Sequence, residues 1–504
     1  MSENHLLALL RRGAEGRGEA AFAELSDGRE VAYAAFWKDV ERAHAALAAL
    51  GVRPGDRVAA QTPKSLEALI LYLGAVAAGA AFLPLNTAYT AEEVGFFLGD
   101  AEPALFVCDP AGAETLRPVA EAAGTRLATL DGAGGGDWAA AVAAASPGRA
   151  DAPRGEDDLA AILYTSGTTG RSKGAMLSHR NLASNAEALA ALWGFTAEEA
   201  LIHALPVFHV HGLFVATNVA LVAGARVILQ PKFDAEAVLA AMPRATALMG
   251  VPTFYTRLLE QPGLAEAARG MRLFVSGSAP MLAETHARWR DATGHSVLER
   301  YGMTEAGMIT SNPLEGERRP GAVGFPLPGV ELRVVDAEGG PVPAGETGSI
   351  EIRGPNLFLG YWRMPEKTAE EMRPDGFFVT GDLGRIDAEG YLHIVGRAKD
   401  LVISGGYNVY PKEVEALIDR LPGVVESAVF GAPHPDLGEA VVAAIVPEAA
   451  DPADEAQVLE ALSGRLARFK QPRRVFAVEA LPRNAMGKVQ KAALRQRFGD
   501  VFGT

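Results

Sequence analysis

The densest concentration of phosphate-binding chemistry in this 504-residue chain is Thr165-Ser166-Gly167-Thr168-Thr169-Gly170-Arg171-Ser172-Lys173-Gly174. Its glycines let the backbone take positive φ, so that successive N–H groups can face one anion. The hydroxyls of Thr165, Ser166, Thr168 and Thr169 add donors, and Lys173 adds a mobile positive charge. An apolar run, Leu159 to Tyr164, precedes the stretch and reads as a buried strand, and a helical pattern opens near His179. Strand, hydroxyl-rich glycine loop, lysine and helix together make a cradle for a polyphosphate. The nucleotide loop G-x-x-x-x-G-K-[ST] does not fit, because no lysine directly follows Gly170. By composition alone the stretch also fits an ordinary Gly/Ser/Thr surface loop.

The elements around it alternate. Arg57 to Ala60, Ala104 to Cys108 and Arg126 to Leu130 have strand length, with helical patterns such as Trp37 to Leu50 between them. After the loop the rhythm returns in Leu201 to Leu205, Ala225 to Leu229, Thr246 to Met249, Leu273 to Ser276 and Val297 to Glu299. A doubly wound α/β body is expected, with ligands at the C-terminal strand ends. Pro206 to Gly212, Gly250 to Thr253, Ser276 to Pro280 and Tyr301 to Glu305 fall at such ends, which points to one shared site. From about Gly321 the texture turns β-rich. Beyond Gly396 it becomes a small α+β domain, with helical stripes at Val414, Leu417, Ile418 and Leu421 and at Leu459, Leu462, Leu466 and Phe469.

Composition excludes several classes. With 49% hydrophobic and 22% charged residues the chain is a folded globular protein, long enough for two or three domains. Its formal charge of −15 argues against nucleic acid or an anionic membrane as partner. Cys108 is the only cysteine, expected as a buried, inert thiol in a reducing cytoplasm. The acid Glu3 and the short apolar run Leu6 to Leu10 suggest a helix rather than an export signal. Ala68 to Leu85 is uncharged and long enough to test as a membrane span, but a buried helix ending near Gly79 and a short strand fit it better.

Further motifs follow in order: Tyr301-Gly302-Met303-Thr304-Glu305, Thr380-Gly381-Asp382, Gly396-Arg397-Ala398-Lys399-Asp400 and Pro482-Arg483-Asn484-Ala485-Met486-Gly487-Lys488. With the 165–174 loop they resemble the adenylate-forming superfamily of acyl-CoA synthetases, peptide-synthetase adenylation domains and luciferases, from about residue 30 to 495. The resemblance implies a large N-terminal domain, 1–397, of doubly wound α/β subdomains plus a β subdomain. A small mobile α+β C-terminal domain, 398–504, carries the catalytic lysine. It implies ATP, Mg2+ and coenzyme A. A carboxylate is converted to an acyl-adenylate, which a thiol then attacks, and positioning and cations around the phosphates do the work.

The resemblance places the family's roles residue by residue. Thr165, Ser166, Gly167, Thr168, Thr169 and Gly170 with Lys173 would hold the β- and γ-phosphates. Gly277, Ser278, Ala279 and Tyr301 would line the adenine slot, Gly302 would also bind ATP, Thr304 would touch the α-phosphate, and Glu305 would hold the magnesium. Asp382 would accept the ribose hydroxyls beside Arg397, and Lys488 would carry the charge on the α-phosphate and the attacking carboxylate. Lys399 matches the hinge, and Ser404, Gly405 and Gly406 would line the pantetheine tunnel. Each has a plainer alternative: Asp382 as a turn residue, Lys488 as a solvated lysine in a basic run, Glu305 as a helix N-terminal acid.

The acid pocket of this family would be walled by Pro206 to Gly212, Val251 to Arg257 and Glu299 to Met308. It holds His209, His211, Arg257, Arg300 and Met308 rather than a greasy tunnel. An arginine in such a wall is expensive unless an anion meets it, and its fork matches a carboxylate. In Pro-x-x-His-x-His-Gly, Gly-Val-Pro-Thr-x-Tyr-x-Arg and Glu-Arg-Tyr-Gly-Met-Thr-Glu the chain is similar to the malonyl-CoA synthetases. The expected reaction is ligation of malonate to coenzyme A, with methylmalonate a further candidate. The alternatives are a synthetase for a short-chain or aromatic monocarboxylic acid, and a noncatalytic nucleotide sensor on the same fold. His211 stays open between a structural and a functional role.

Overall fold

The computed structural model describes residues 3–165, 172–404, 407–463, 465–484 and 487–503. Compactness divides the chain into two units, Met1–Glu331 with Ile352–Phe378, and Leu332–Glu351 with Val379–Thr504.

Two large sheets build the first unit. The seven-stranded one runs Gly360–Tyr361, Lys173–Ser178, Leu159–Thr165, Ala81–Pro84, Arg57–Gln61, Leu105–Cys108, Arg126–Thr129. Its strands from Leu159–Thr165 onward are parallel. The nine-stranded sheet has a parallel centre from Arg226–Leu229 through Ala200–His203, Ala247–Gly250 and Leu273–Ser276 to Leu298–Met303. These strands are short apolar runs buried along their length, the pattern of parallel strands covered on both faces. Alternating strand and helix signals thus lead to the expected doubly wound α/β architecture.

The uncharged stretch Ala68 to Leu85 is resolved by burial. Ser65 caps the helix Leu66–Ala77 by accepting from the Ala68 N–H, and all but one of the helix's residues are buried. Gly79 at φ 69° turns the chain into the strand Ala81–Pro84. Among the described residues no helix is long and apolar enough to cross a membrane. Cys108 is buried and free, and burial pushes its thiol up to about 11, so it is a poor nucleophile. The run Leu6 to Leu10 lies in the helix His5–Arg12, with Leu6, Leu7, Leu9 and Leu10 buried.

The second unit holds two smaller sheets. One is Glu331–Val335, Gly348–Arg353, Phe378–Ile386, Leu392–Arg397, and the other is built on the long antiparallel pair Val424–His434 and Gly438–Pro447. The first expected helical stripe forms the helix Pro411–Ile418. The second is shorter than expected. The helix Glu455–Leu462 ends where Ser463 turns extended, and Leu466 reaches the same core from beyond it.

Candidate functional site

Parallel register places the expected wall segments together. Ala200–His203, Ala247–Gly250, Leu273–Ser276 and Leu298–Met303 are neighbours pointing one way, so the segments after them leave from one sheet edge. Glycines allow the close approaches there. A Cβ on Gly212 would lie 2.0 Å from the Pro206 carbonyl oxygen, and one on Gly277 would lie 2.3 Å from the Arg300 guanidinium carbon. Ser278 sits at φ 67°, unusual for a residue with a side chain, and its hydroxyl lies 3.3 Å from His211 Nδ1.

Arg300 is 3% exposed, and its Nε and Nη2 are buried without a hydrogen-bond partner, as is His211 Nε2. Burial pushes the guanidinium down to about 9, which leaves it cationic at neutral pH. Burial and then the Arg300 charge hold His211 well below its ordinary range, so the imidazole is neutral. Buried polar atoms are almost always satisfied, and a buried charge almost always meets a counter-charge. The site therefore presents an unmet demand for an anion. His209 is half-buried and accepts from the His211 N–H at 3.3 Å. Met308 is buried, its backbone held by Asn185 on both sides, N–H to Oδ1 at 3.0 Å and carbonyl from Nδ2 at 2.8 Å. Arg257 is different. Its helix, Pro252–Leu259, buries Phe254, Tyr255 and Leu258 and leaves Arg257 exposed. The buried-guanidinium argument, expected for both arginines, applies to Arg300 alone.

The phosphate side departs from the expected order of elements. Lys173 opens a strand, Lys173–Ser178, antiparallel to Leu159–Thr165, with Thr165 opposite Lys173. The two strands thus pair as a hairpin, and the helix His179–Leu192 begins only after the second of them. Ser166, Gly167, Thr168, Thr169 and Gly170 lie outside the described residues. Lys173 Nζ lies 3.0 Å from Glu371 Oε1 and 4.0 Å from the centre of the Tyr361 ring. The Tyr361 hydroxyl in turn lies 2.7 Å from Glu371 Oε2 and 3.0 Å from Glu305 Oε1. Burial, then the Glu305 charge, raises the Tyr361 pKa, so the phenol keeps its proton. Glu305 is buried in the turn between Leu298–Met303 and Gly307–Ser311; no helix starts there, which removes the helix-acid alternative. Gly302 lets that hairpin close, since a Cβ would lie 2.2 Å from the Gly307 carbonyl oxygen. Thr304 and Tyr301 are half-buried beside it. Tyr361 and Glu371 are additions to the expected set: Glu371 lies in the polar run Glu366 to Glu371, which reads as any surface helix.

In the second unit Asp382 and Arg397 are cross-strand partners in Phe378–Ile386 and Leu392–Arg397, with Nε 2.9 Å from Oδ1. Asp382 is 4% exposed within a strand, not at an exposed turn. Lys488 follows Gly487, at φ 72°, and donates its backbone N–H to Asn484 Oδ1 at 3.0 Å. It is half-buried. Burial, then Arg397, pushes its ammonium down to about 8, with Asp382 and Asp400 opposing. This is not a freely solvated lysine. Arg483 of the same basic run is paired with Glu426. Lys399 is exposed in the turn Ala398–Asp400, and Ser404 is buried at the end of Val402–Ser404. Gly405 and Gly406 lie outside the described residues. Among the described residues no group of three or more His, Cys, Asp or Glu side chains could hold a metal ion.

Comparison with known proteins follows this geometry. Residues 10–362 match the AMP-binding enzyme family, and 413–488 match the AMP-binding enzyme C-terminal domain. A feruloyl-CoA synthase from an Amycolatopsis species is 38% identical over 477 residues, 94% of this chain and 95% of that one. The malonate–CoA ligase of Arabidopsis thaliana is 36% identical over 482 residues, 88% of this chain and 78% of that one. The crystal structure of ATP-bound MatB from Rhodopseudomonas palustris has a TM-score of 0.97 at 55% identity, with 100% of each chain covered.

Proposed function

Because the chain belongs to the family of AMP-binding enzymes, we propose that it is an acid–thiol ligase that joins malonate to coenzyme A through a malonyl-adenylate. AMP and pyrophosphate are released. The observation that carries the choice of acid is the buried Arg300 with two unpartnered nitrogens beside a neutral His211. Malonate supplies the missing anion at its far end while its near carboxylate reacts. The likeness to a malonate–CoA ligase supports this reading. The likeness to a feruloyl-CoA synthase keeps the aromatic monocarboxylic acid as the rival. Against that rival, a neutral far end would leave the Arg300 charge buried and unpaired, a costly arrangement.

In this reading a near-carboxylate oxygen attacks the α-phosphorus of ATP, the bond to the β-bridging oxygen breaks, and pyrophosphate leaves. The coenzyme A sulfur, its proton lost, then attacks the acyl carbon and AMP leaves. Thr165 to Gly170 with Lys173 hold the departing phosphates, and Lys173 exchanges Glu371 for them. Gly277, Ser278, Ala279 and Tyr301 take the adenine, and Gly302 also binds ATP. Thr304 touches the α-phosphate, Asp382 and Arg397 take the ribose, and His209 and Met308 wall the acid. Magnesium, when bound, neutralises phosphate charge. Buried Glu305 would offer it a hard carboxylate oxygen. The functional division falls at 397/398 with Lys399 as hinge, and Ser404, Gly405 and Gly406 serve to bind the pantetheine. Methylmalonate is a second substrate on this account, since a methyl changes pocket energies by only about 1–3 kcal/mol. The compartment is the cytoplasm, without nucleic acid or membrane as partner.

The test is direct. Purified protein with malonate, ATP, Mg2+ and coenzyme A should release pyrophosphate and give malonyl-CoA by mass spectrometry. Turnover of ferulate-like acids but not malonate would overturn the diacid reading, and silence with every acid would favour the sensor.

Lys488 also predicts a pH profile. Its folded pKa, about 8, lies below its ordinary 10.5, so it is charged below that pH and neutral above. If its charge drives adenylation, kcat/KM for pyrophosphate release falls above about pH 8, by roughly tenfold per unit. Lys488→Arg, whose side chain stays charged, should hold its activity level through that range.

A further inference from the structure

Lys64 is a buried lysine that the adenylation chemistry leaves unused, and burial holds its pKa well below the ordinary lysine value. It is 8% exposed and lies just before the cap of the helix Leu66–Ala77. Its Nζ meets three partners: His203 Nδ1 at 2.8 Å, the His203 carbonyl at 2.6 Å and the Leu205 carbonyl at 2.8 Å. No carboxylate pairs with it among the described residues. Burying a lysine head group without a counter-charge is expensive, so its placement needs a reason.

The reason lies in what it holds. The Gly212 carbonyl beside Nε2 can only accept, which puts the imidazole proton of His203 on Nε2 and leaves Nδ1 to accept from Lys64 Nζ. Burial, then the Lys64 charge, keeps the ring neutral. Nε2 lies 3.0 Å from the Gly212 carbonyl and 3.2 Å from the Thr217 hydroxyl, which itself donates to Gly212 at 3.1 Å. One side chain thus fixes the exit of the strand at His203 and Leu205 and, through the ring, the far end of the loop at Gly212. Between them runs Pro206 to Gly212, with His209 and His211. There is no slack in it, since a Cβ on Gly212 would collide with the Pro206 carbonyl.

We propose that Lys64 is a positioning residue for the acid pocket, setting the course of the Pro206–Gly212 segment through His203 and so the place of His211 beside Arg300. The proposal rests on the reading of that segment as the acid wall. Its test compares Lys64→Met, His203→Gln and the double variant with wild type, using the acid that wild type turns over best. KM for the acid should rise about tenfold or more in Lys64→Met, as small misplacements of a site wall do. KM for ATP should stay within about twofold, because Lys173 and Tyr361 make none of these hydrogen bonds. The double variant should be no worse than the poorer single one, because both act through one relay. An unchanged acid KM in folded Lys64→Met overturns the proposal. So does a parallel rise in both KM values with a fall in Tm, the mark of a merely structural lysine. If Lys64→Met does not fold, His203→Gln decides by the same criteria. If wild type prefers another acid, malonate fails as substrate while this test stands; a wild type without any activity overturns both.

Discussion

Lys488→Ala should lower the adenylation half-reaction by about 100- to 1,000-fold, the loss typical of removing one charge or donor aimed at a developing transition state. The chain's local structure supports a placed rather than solvated ammonium. Gly487 turns the backbone, Asn484 holds the Lys488 N–H, and the Asp382, Arg397 and Asp400 charges act on the side chain. The second half-reaction gives the loss its meaning. Supplied with malonyl-adenylate and coenzyme A, the variant should make malonyl-CoA within about threefold of the wild-type rate, because no α-phosphate charge then needs support. Rapid-quench measurement of the two halves checks this. Equal losses in both would place Lys488 in general architecture instead.

Arg300→Ala should cost about 2–5 kcal/mol in kcat/KM for malonate, roughly 30- to 5,000-fold, as when one partner of a buried charge pair is removed. The loss should appear mainly in KM for the acid, with KM for ATP little changed, and steady-state pyrophosphate release measures both. Arg300→Lys should recover little, since an ammonium lacks the planar fork. Stability should move the other way. In the free protein the guanidinium is buried with Nε and Nη2 unpartnered, so replacing it should leave Tm unchanged or raise it. Arg257→Ala, at an exposed position, should change malonate kinetics by no more than about threefold. Unchanged malonate kinetics in Arg300→Ala would remove the anion site.

The α/β body and several site residues are legible in the amino-acid sequence. Short apolar runs separated by helical periodicity are hard to read as anything but parallel α/β, and the four motif segments do leave one edge of one sheet. Buried Asp382 and Glu305 also stand out from a sequence because their motifs are unusual. What the sequence hides has physical causes. The strand Lys173–Ser178 is only six residues long with polar ends and no alternation, and the helical pattern after it masks the hairpin. Arg257 and Arg300 read alike in sequence, and only the facing of one helix and the two neighbours of one strand separate exposed from buried. Glu371, Tyr361, Lys64 and His203 carry no local signal, since their partners lie far away along the chain.

Malonate and its monomethyl ester differ by one negative charge at the far end and almost nothing else that this pocket should sense. Their kcat/KM ratio in the wild-type protein therefore reads the buried guanidinium most directly. The account predicts that malonate is favoured by at least about 30-fold and that Arg300→Ala brings the ratio close to one. Equal use of the two acids by wild type would contradict it.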